Sequence, residues 1–188
     1  MFDIDKLKSI LEQNLEGERL YHSYCVADEA KRLAALYGEN TEKAYVAGLL
    51  HDITKKFSRE EHLKIFSDFD IILSDVELSS PPLLHAISGE AYIKNIIKID
   101  DTDILDAVRY HTTGREGMSK LELILFVADL TSADRDYPDV EVSRQKSNVS
   151  LEEAALYGLK YVICDLTSRE KIIHPDTLYA YNYLIKQR

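Results

Sequence analysis

The sequence contains no tryptophan, and its 188 residues include only two cysteines, four prolines and seven glycines. So little glycine and proline argues against a turn-rich β fold and favours long regular elements. No apolar run approaches the roughly 20 residues that a membrane-crossing helix needs. The first segment, MFDIDKLKSILEQNLEGERL, is amphipathic and charged, unlike a signal peptide. These absences predict a cytoplasmic protein that does not contact membranes.

The two cysteines, Cys25 and Cys164, lie far apart and lack the spacing of metal ligands. In such a chain, isolated cysteines usually serve as small apolar side chains. We therefore predict that both are buried, and that they form neither a disulfide nor a redox pair.

The formal net charge of −10 limits the partners of the protein. A chain this acidic repels a phosphate backbone, which excludes tight non-specific binding of a nucleic-acid polymer. Small phosphorylated substrates remain possible, because bound metal ions can reverse the local sign of the charge. Whether the chain forms a homodimer is left open.

Apolar residues recur at the helical period along nearly the whole chain. The pattern predicts helices at about 3–14, 19–37, 41–53, 58–66, 83–97, 102–111, 119–134, 150–166 and 175–187, with an irregular stretch at 67–82. No strand-like alternation persists, and neither a repeat nor a linker is visible. A length of 188 residues suits one domain. The sequence therefore predicts an all-α helical bundle that forms a single domain over residues 1–188.

Four histidines and two aspartates occupy unusual places on these helices, and we identify them as candidate metal ligands: His22, His51, Asp52, His85, His111 and Asp129. Asp129 lies in the apolar run LILFVADL, where a carboxylate is costly unless a partner compensates it. A metal ion, an arginine or backbone donors could do so, and a position on a polar edge of the helix is equally possible. His51 and Asp52 end a buried helix, where adjacent residues can reach one site, although a histidine there can also simply cap the helix.

The chemistry of this ligand set narrows the candidate metals. Imidazole and carboxylate ligands without thiolate suit Fe, Mn, Co or Zn better than Ca or Mg alone. Six ligands exceed what one catalytic ion with open water positions needs, so two ions are plausible, and hydrolysis of a phosphoester or phosphoanhydride is their natural chemistry. Lys55, one turn beyond the doublet, could bring a positive charge to a phosphoryl group. It could equally be a solvated surface lysine like Lys56.

The order His22, His51-Asp52, Asp129 resembles the HD-domain phosphohydrolase superfamily, which is named for that doublet. The similarity is greater to one branch, the YqeK family, whose members hydrolyse diadenosine tetraphosphate symmetrically. The segments that resemble this family are RLYHSYCVADEAKRLAALYG, EKAYVAGLLHDITK, LLHAISGEAY, AVRYHTTGREGMSKLELILFVADL, RDYP and IHPDTLYAYNYL. They span about residues 19–184, and the LLHD..K and HTTG…MSKLE…AD elements are the most specific.

The resemblance implies a symmetrical bis(5'-nucleosyl)-tetraphosphatase with two metal ions, which in that family are iron. His22, His51, Asp52 and Asp129 match the superfamily's first metal site, while His85 and His111 match the histidines that add a second ion. Asp52 and Lys55 are then the catalytic residues. The implied nucleotide contacts are Arg19, Lys55, Arg135, His174, Tyr181 and Asn182.

One departure from the family pattern concerns Ser132-Ala133, where relatives read approximately Glu-Pro. The missing carboxylate puts the positioning of Arg135 in doubt.

Outside the motifs, His62 in SREEHLKIF is interpreted as an exposed helix residue. Two other functions stay open: a nucleotidase that acts on mononucleotides, and a catalytically silent module that only binds a nucleotide.

Overall fold

The structure, a computed structural model, describes residues 2–188. It contains eleven α-helices: α1 (Ile4–Asn14), α2 (Gly17–Tyr37), α3 (Thr41–Leu50), α4 (Arg59–Asp68), α5 (Asp75–Leu78), α6 (Leu84–Tyr92), α7 (Thr102–Tyr110), α8 (Lys120–Thr131), α9 (Val140–Ser147), α10 (Leu151–Ser168) and α11 (Pro175–Lys186). A 3-10 turn at Pro81–Leu83 precedes α6, and a π-helical turn at Ile93–Ile97 extends it. No strand occurs in this range, so the predicted all-α class is confirmed.

Most helix starts are encoded by capping residues. Ser58 and Ser119 each accept a hydrogen bond from the glutamate amide three residues later, and that glutamate returns the contact to the cap. At the end of α2, Gly38 adopts the left-handed conformation that glycine tolerates best. Two elements were not predicted: α9, and the short α5 inside the stretch expected to be irregular.

The main core lies where α2, α3, α7 and α8 pack against one another. Helices α3 and α8 are apolar on nearly all sides, and residues such as Leu49, Leu50, Ile124 and Leu125 are fully buried. A smaller apolar cluster joins α4 to α6 through Phe66 and Ile87. The ends of these packed helices converge on one region, and that region carries the candidate metal ligands.

The structure tests two of the predictions drawn from absences. Cys25 is buried as predicted, but Cys164 is exposed, because the far side of α10 faces solvent. Within residues 2–188, none of the helices combines the length and the apolar run that a membrane crossing requires. The assignment of residues 1–188 to one domain remains a prediction.

Gly48 lets α2 and α3 approach closely, and this contact yields a prediction of stability. A Cβ atom at Gly48 would lie 2.7 Å from Ala27 Cα and 2.9 Å from Val26 O, which are backbone atoms that cannot turn aside. We expect Gly48→Ala to lower the free energy of unfolding by about 1–3 kcal/mol, the usual cost of overpacking. Chemical denaturation measures this loss.

Gly89→Ala is the matched control, because Gly89 is also helical but a Cβ atom there would come no closer than 3.6 Å to its neighbours. Alanine favours a helix over glycine by about 0.5–1 kcal/mol, so this variant should be as stable as the parent or slightly more so. Equal losses in both variants would contradict the argument.

Candidate metal centre

All six candidate ligands meet at one place, although they come from five different helices. His22 lies on α2, His51 and Asp52 in the turn after α3, His85 in the first turn of α6, His111 directly after α7, and Asp129 in the last turn of α8. The histidines and Asp52 are buried, and the Asp129 side chain is 19% exposed. Solvent therefore reaches the cluster beside Asp129, whereas the other five ligands are enclosed by protein.

The ligand atoms form two groups that share His51. In the first group, His22 Nε2 lies 3.0 Å and His51 Nε2 lies 3.9 Å from Asp129 Oδ1. The second group joins His51, Asp52 and His111. Asp52 turns Oδ2 towards His51 at 3.5 Å and Oδ1 towards His111 Nε2 at 3.8 Å. His85 completes this side, with Nε2 3.0 Å from Asp52 Oδ1.

Hydrogen bonds at the opposite ring nitrogens orient three of the histidines. Nδ1 of His51 donates to Gly48 O, and Nδ1 of His111 donates to Val108 O, both at 2.7 Å. His22 Nδ1 is likewise 2.7 Å from a carboxylate oxygen of Asp134. A proton on Nδ1 leaves the Nε2 lone pair free to bind a metal, which is how proteins commonly orient histidine ligands.

The unsatisfied atoms of the cluster test whether a metal ion fits these residues. His51 Nε2 and Asp52 Oδ1 are buried and have no hydrogen-bond partner among residues 2–188. Nε2 of His85 and Nε2 of His111 stand only 3.1 Å apart. Burying His51 Nε2 and Asp52 Oδ1 without a partner is costly, and a cation beside them would satisfy both atoms and could also bind the paired Nε2 atoms of His85 and His111. The residues therefore fit a bound metal ion.

The protonation states in the cluster suit metal binding as well. Burial lowers the pKa of His51, and burial with the neighbouring His85 and His51 lowers the pKa of His111 to about 3. Burial alone would raise the pKa of Asp52, but His51, His85 and Lys55 hold it well below its usual value. At neutral pH these imidazoles are thus neutral and the carboxylate is ionised, which is the form that ligates metals.

Three cations line the open side of the cluster. Arg19 Nη1 donates to Asp52 Oδ2 at 2.7 Å, and Lys55 Nζ lies 3.5 Å from Asp52 Oδ1. Arg135 donates to both the backbone and the carboxylate of Asp129. The arginine partner considered for Asp129 is thus present beside the histidines, and Asp129 itself positions Arg135 despite the Ser132-Ala133 departure.

Two residues of this region were missed or misinterpreted in the sequence. Asp134 pairs with His22, and Ser132 Oγ donates to Asp134 at 2.7 Å. Asp134 was missed in the sequence, because no local pattern distinguishes this aspartate from the others near it.

The interpretation of His62 as exposed was wrong. It is buried, because it faces α6 and pairs with Ser88 across the helix interface.

The three C-terminal residues expected to contact the nucleotide do not meet the cluster. His174 caps α11 by accepting from the Asp176 amide, and its Nε2 lies 3.9 Å from Glu77. Tyr181 lines a surface groove beside α10, and Asn182 is exposed. Their part in nucleotide binding stays a prediction.

Beside the cluster lies a groove of about 520 Å³, which we call the charged groove. Its lining consists of Glu16, Gly17, Glu18, Arg19, His22, Lys56, Asp134 and Arg135. It adjoins the His22 side of the cluster and is lined by three cations, Arg19, Lys56 and Arg135, together with the carboxylates of Glu16, Glu18 and Asp134. Such a surface suits a phosphate chain better than an apolar ligand.

Comparison with known proteins agrees with this geometry. The model of the HD domain family matches residues 19–134. A symmetrical bis(5'-nucleosyl)-tetraphosphatase of Halalkalibacterium halodurans is 34% identical, with 97% of each chain covered. A protein of the same name from Bacillus subtilis is 32% identical over 93% of this chain and 94% of its own length. The crystal structure of a Clostridium acetobutylicum protein, described as a predicted HD superfamily hydrolase involved in NAD metabolism, superposes with a TM-score of 0.96 over 100% of both chains at 37% identity.

The chain therefore belongs to the HD-domain family of hydrolases, as the order of His22, the His51-Asp52 doublet and Asp129 predicted. Within that family, near full-length similarity to relatives of one name confirms the predicted resemblance to the YqeK branch.

The low pKa of His111 makes the stability of the metal-free protein depend on pH. Between pH 3 and 6.5 the folded state binds fewer protons than the unfolded state, so stability falls as the pH falls below 6.5. His111→Gln removes this group, and we expect the slope of unfolding free energy against pH to decrease by up to about 1.4 kcal/mol per pH unit. Denaturation with a chelator at pH 5.5, 6.5 and 7.5 measures it, and parallel curves for parent and variant would contradict the prediction.

Proposed function

We propose that the protein hydrolyses diadenosine tetraphosphate to two molecules of ADP at a dinuclear metal centre carried by the single domain of residues 1–188. The observation that carries this proposal is the cluster of six ligands, in which buried acceptor atoms lack donors. The name shared by the full-length relatives supports the substrate.

The metal ions would be held by two overlapping sets of side chains. His22, His51, Asp52 and Asp129 would hold one ion, while His85 and His111 would hold the other together with Asp52, which faces both sets. We propose iron, and the same donors would also accept Mn, Co or Zn. When bound, such ions lower the pKa of a bound water and neutralise the phosphoryl oxygens.

The residues around the ligands perform the remaining tasks. Lys55 Nζ lies 3.1 Å from His85 Nε2 with a third of its side chain exposed, so it can bind a phosphoryl oxygen and stabilise the charge that grows during cleavage. Arg19 and Arg135 are similarly exposed and flank the cluster on the other side. Their guanidinium groups can orient the phosphate chain while they keep Asp52 and Asp129 in place.

The proposal is tested by identifying the products. Purified protein loaded with iron, manganese, cobalt or zinc is incubated with diadenosine tetraphosphate, with ATP and with NAD, and the products are separated chromatographically. We expect ADP alone from the dinucleotide, and metal analysis should find two ions per chain. ATP with AMP would contradict symmetrical cleavage. Preferred turnover of ATP would instead support the nucleotidase, and no turnover with any metal would support the silent nucleotide-binding module.

Asp52→Asn should remove the activity without unfolding the protein. The amide cannot supply the negative charge that two ions require, so we expect the rate to fall at least 100-fold, consistent with the loss of a metal ligand or its partner. Asp68→Asn is the matched control, because Asp68 is exposed on α4 and pairs only with Lys64. Equal activity of the two variants would count against the assigned centre.

Lys55→Met tests whether Lys55 stabilises the transition state or is only a solvated surface lysine. Loss of one preorganised charge commonly costs roughly 100- to 1,000-fold in kcat, and we expect a loss of that order. Lys64→Met, at an exposed lysine of α4, should leave kcat unchanged. A kcat of Lys55→Met within about twofold of the parent would show that Lys55 is only a surface lysine.

A further inference from the structure

Whereas the charged groove adjoins His22, a second, smaller pocket adjoins His85. It has a volume of about 220 Å³, and we call it the apolar pocket. Lys55 and His85 form the end nearest to the cluster. Phe57, Pro81, Pro82 and Leu84 form most of its walls, Arg59 lies at its rim, and His62 completes the lining.

The apolar pocket and the charged groove differ in chemistry, and the chain divides its two adjacent lysines between them. Lys55 lines the apolar pocket, whereas Lys56 lines the charged groove. A tetraphosphate that crosses the cluster would therefore meet a lysine on each side. Beyond Lys55, however, Arg59 is the one further charged residue of the lining among residues 2–188 and the other walls are mostly apolar, which suits a base better than further phosphates.

His62 is a buried polar group in the lining of the apolar pocket, and the hydroxyl groups of Thr54 and Ser88 bear on its tautomer. Thr54 Oγ1 donates to His85 O at 2.9 Å, which uses the hydroxyl hydrogen of Thr54. The 2.9 Å contact between Ser88 Oγ and Thr54 Oγ1 then requires the hydrogen of Ser88. In this arrangement the remaining contact, 2.7 Å between Ser88 Oγ and His62 Nδ1, uses a hydrogen on the imidazole. The reverse chain, in which Thr54 donates to Ser88 and Ser88 donates to His62 Nδ1, would place that hydrogen on Nε2 instead.

We assign the first arrangement, because it keeps the hydrogen bond from Thr54 Oγ1 to His85 O, so His62 donates from Nδ1 and keeps a lone pair on Nε2. Burial lowers the pKa of His62, which keeps the ring neutral at physiological pH. A hydrogen-bond acceptor of fixed orientation beside apolar walls recognises an exocyclic amino group, which adenine has at position 6, and rejects the carbonyl oxygen that guanine has there.

We propose that the apolar pocket binds one nucleoside of the dinucleotide substrate, and that His62 Nε2 accepts a hydrogen bond from the amino group of adenine. The proposal rests on the proposed function and adds the base preference and the position of one half of the substrate. Because the charged groove lacks such a wall, the two halves of a symmetrical molecule are recognised by different means. His62 acts here as a specificity residue and takes no part in the cleavage itself.

The test compares diadenosine tetraphosphate with diguanosine tetraphosphate in parent protein and in His62→Phe, which keeps the ring shape but removes both nitrogens. We expect the parent to favour the adenine compound at least tenfold in kcat/KM, as one mismatched hydrogen bond implies. In His62→Phe this preference should fall below about threefold, through a rise in KM for the adenine compound with kcat retained.

Ser88→Ala is the second variant and keeps the histidine. Without Ser88 the imidazole can carry its hydrogen on either nitrogen, so the preference for adenine should again fall although the ring remains. Lys64→Ala, on the same helix as His62 but outside the pocket, is the matched control and should retain the full preference.

Calorimetry with metal-loaded protein provides a readout that does not depend on turnover. ADP should bind roughly tenfold more weakly to His62→Phe than to the parent, whereas inorganic tripolyphosphate, which lacks a base, should bind both equally. Unchanged base preference in both variants, or equal losses for ADP and tripolyphosphate, would overturn the pocket assignment. Failure of the parent to release ADP from the dinucleotide would overturn the proposed function, while the ADP titration still decides whether the pocket binds a nucleoside.

Discussion

Acceptor atoms that face one another across a few ångströms are the constraint on which the rest of this structure depends. His51 Nε2 and Asp52 Oδ1 are buried without a hydrogen-bond partner in the described part of the chain, and the Nε2 atoms of His85 and His111 lie 3.1 Å apart, where one ring must donate to the other unless a cation lies between them. Such an arrangement is unfavourable in a buried site unless a cation occupies it. The backbone carbonyls of Gly48 and Val108 hold two of the rings in this orientation, so the surrounding fold sustains the unfavourable contact and thereby prepares a strong cation site.

The distribution of charge around this site is compatible with the polyanionic substrate that we propose for this acidic protein. The chain carries a net charge of −10, yet Arg19, Lys55 and Arg135 gather at the open side of the cluster. Each of these cations already contacts a carboxylate of the cluster, so its side chain is positioned before any substrate binds. The anionic surface elsewhere disfavours long phosphate backbones, whereas the local cations favour a short phosphate chain.

The sequence predicted the helical class, most helix positions and His51, Asp52 and Asp129 as candidate ligands, because apolar period and the cost of a buried carboxylate are local signals. His22 joined them through the order of residues in the HD superfamily, and His85 and His111 through the resemblance to one family. Asp129 illustrates the reasoning, since its place in an apolar run identified it before any contact was known. Features set by contacts between distant segments were missed. His62 carries no local sign that it faces α6, and Asp134 gains its importance only because α2 brings His22 beside it. Likewise, Cys164 could not be assigned to a solvent-facing side of α10 from its apolar neighbours.

The ligands come from five helices, and the first and last of them, His22 and Asp129, are separated by most of the chain. No contiguous fragment shorter than that span contains the full set, and the partner of His22 at Asp134 lies later still. During synthesis, which proceeds from the N-terminus, the centre cannot assemble until these late residues have left the ribosome and packed. The metal ions that we propose would therefore be held tightly only after the chain has folded as far as Asp134, so that their uptake would be coupled to folding.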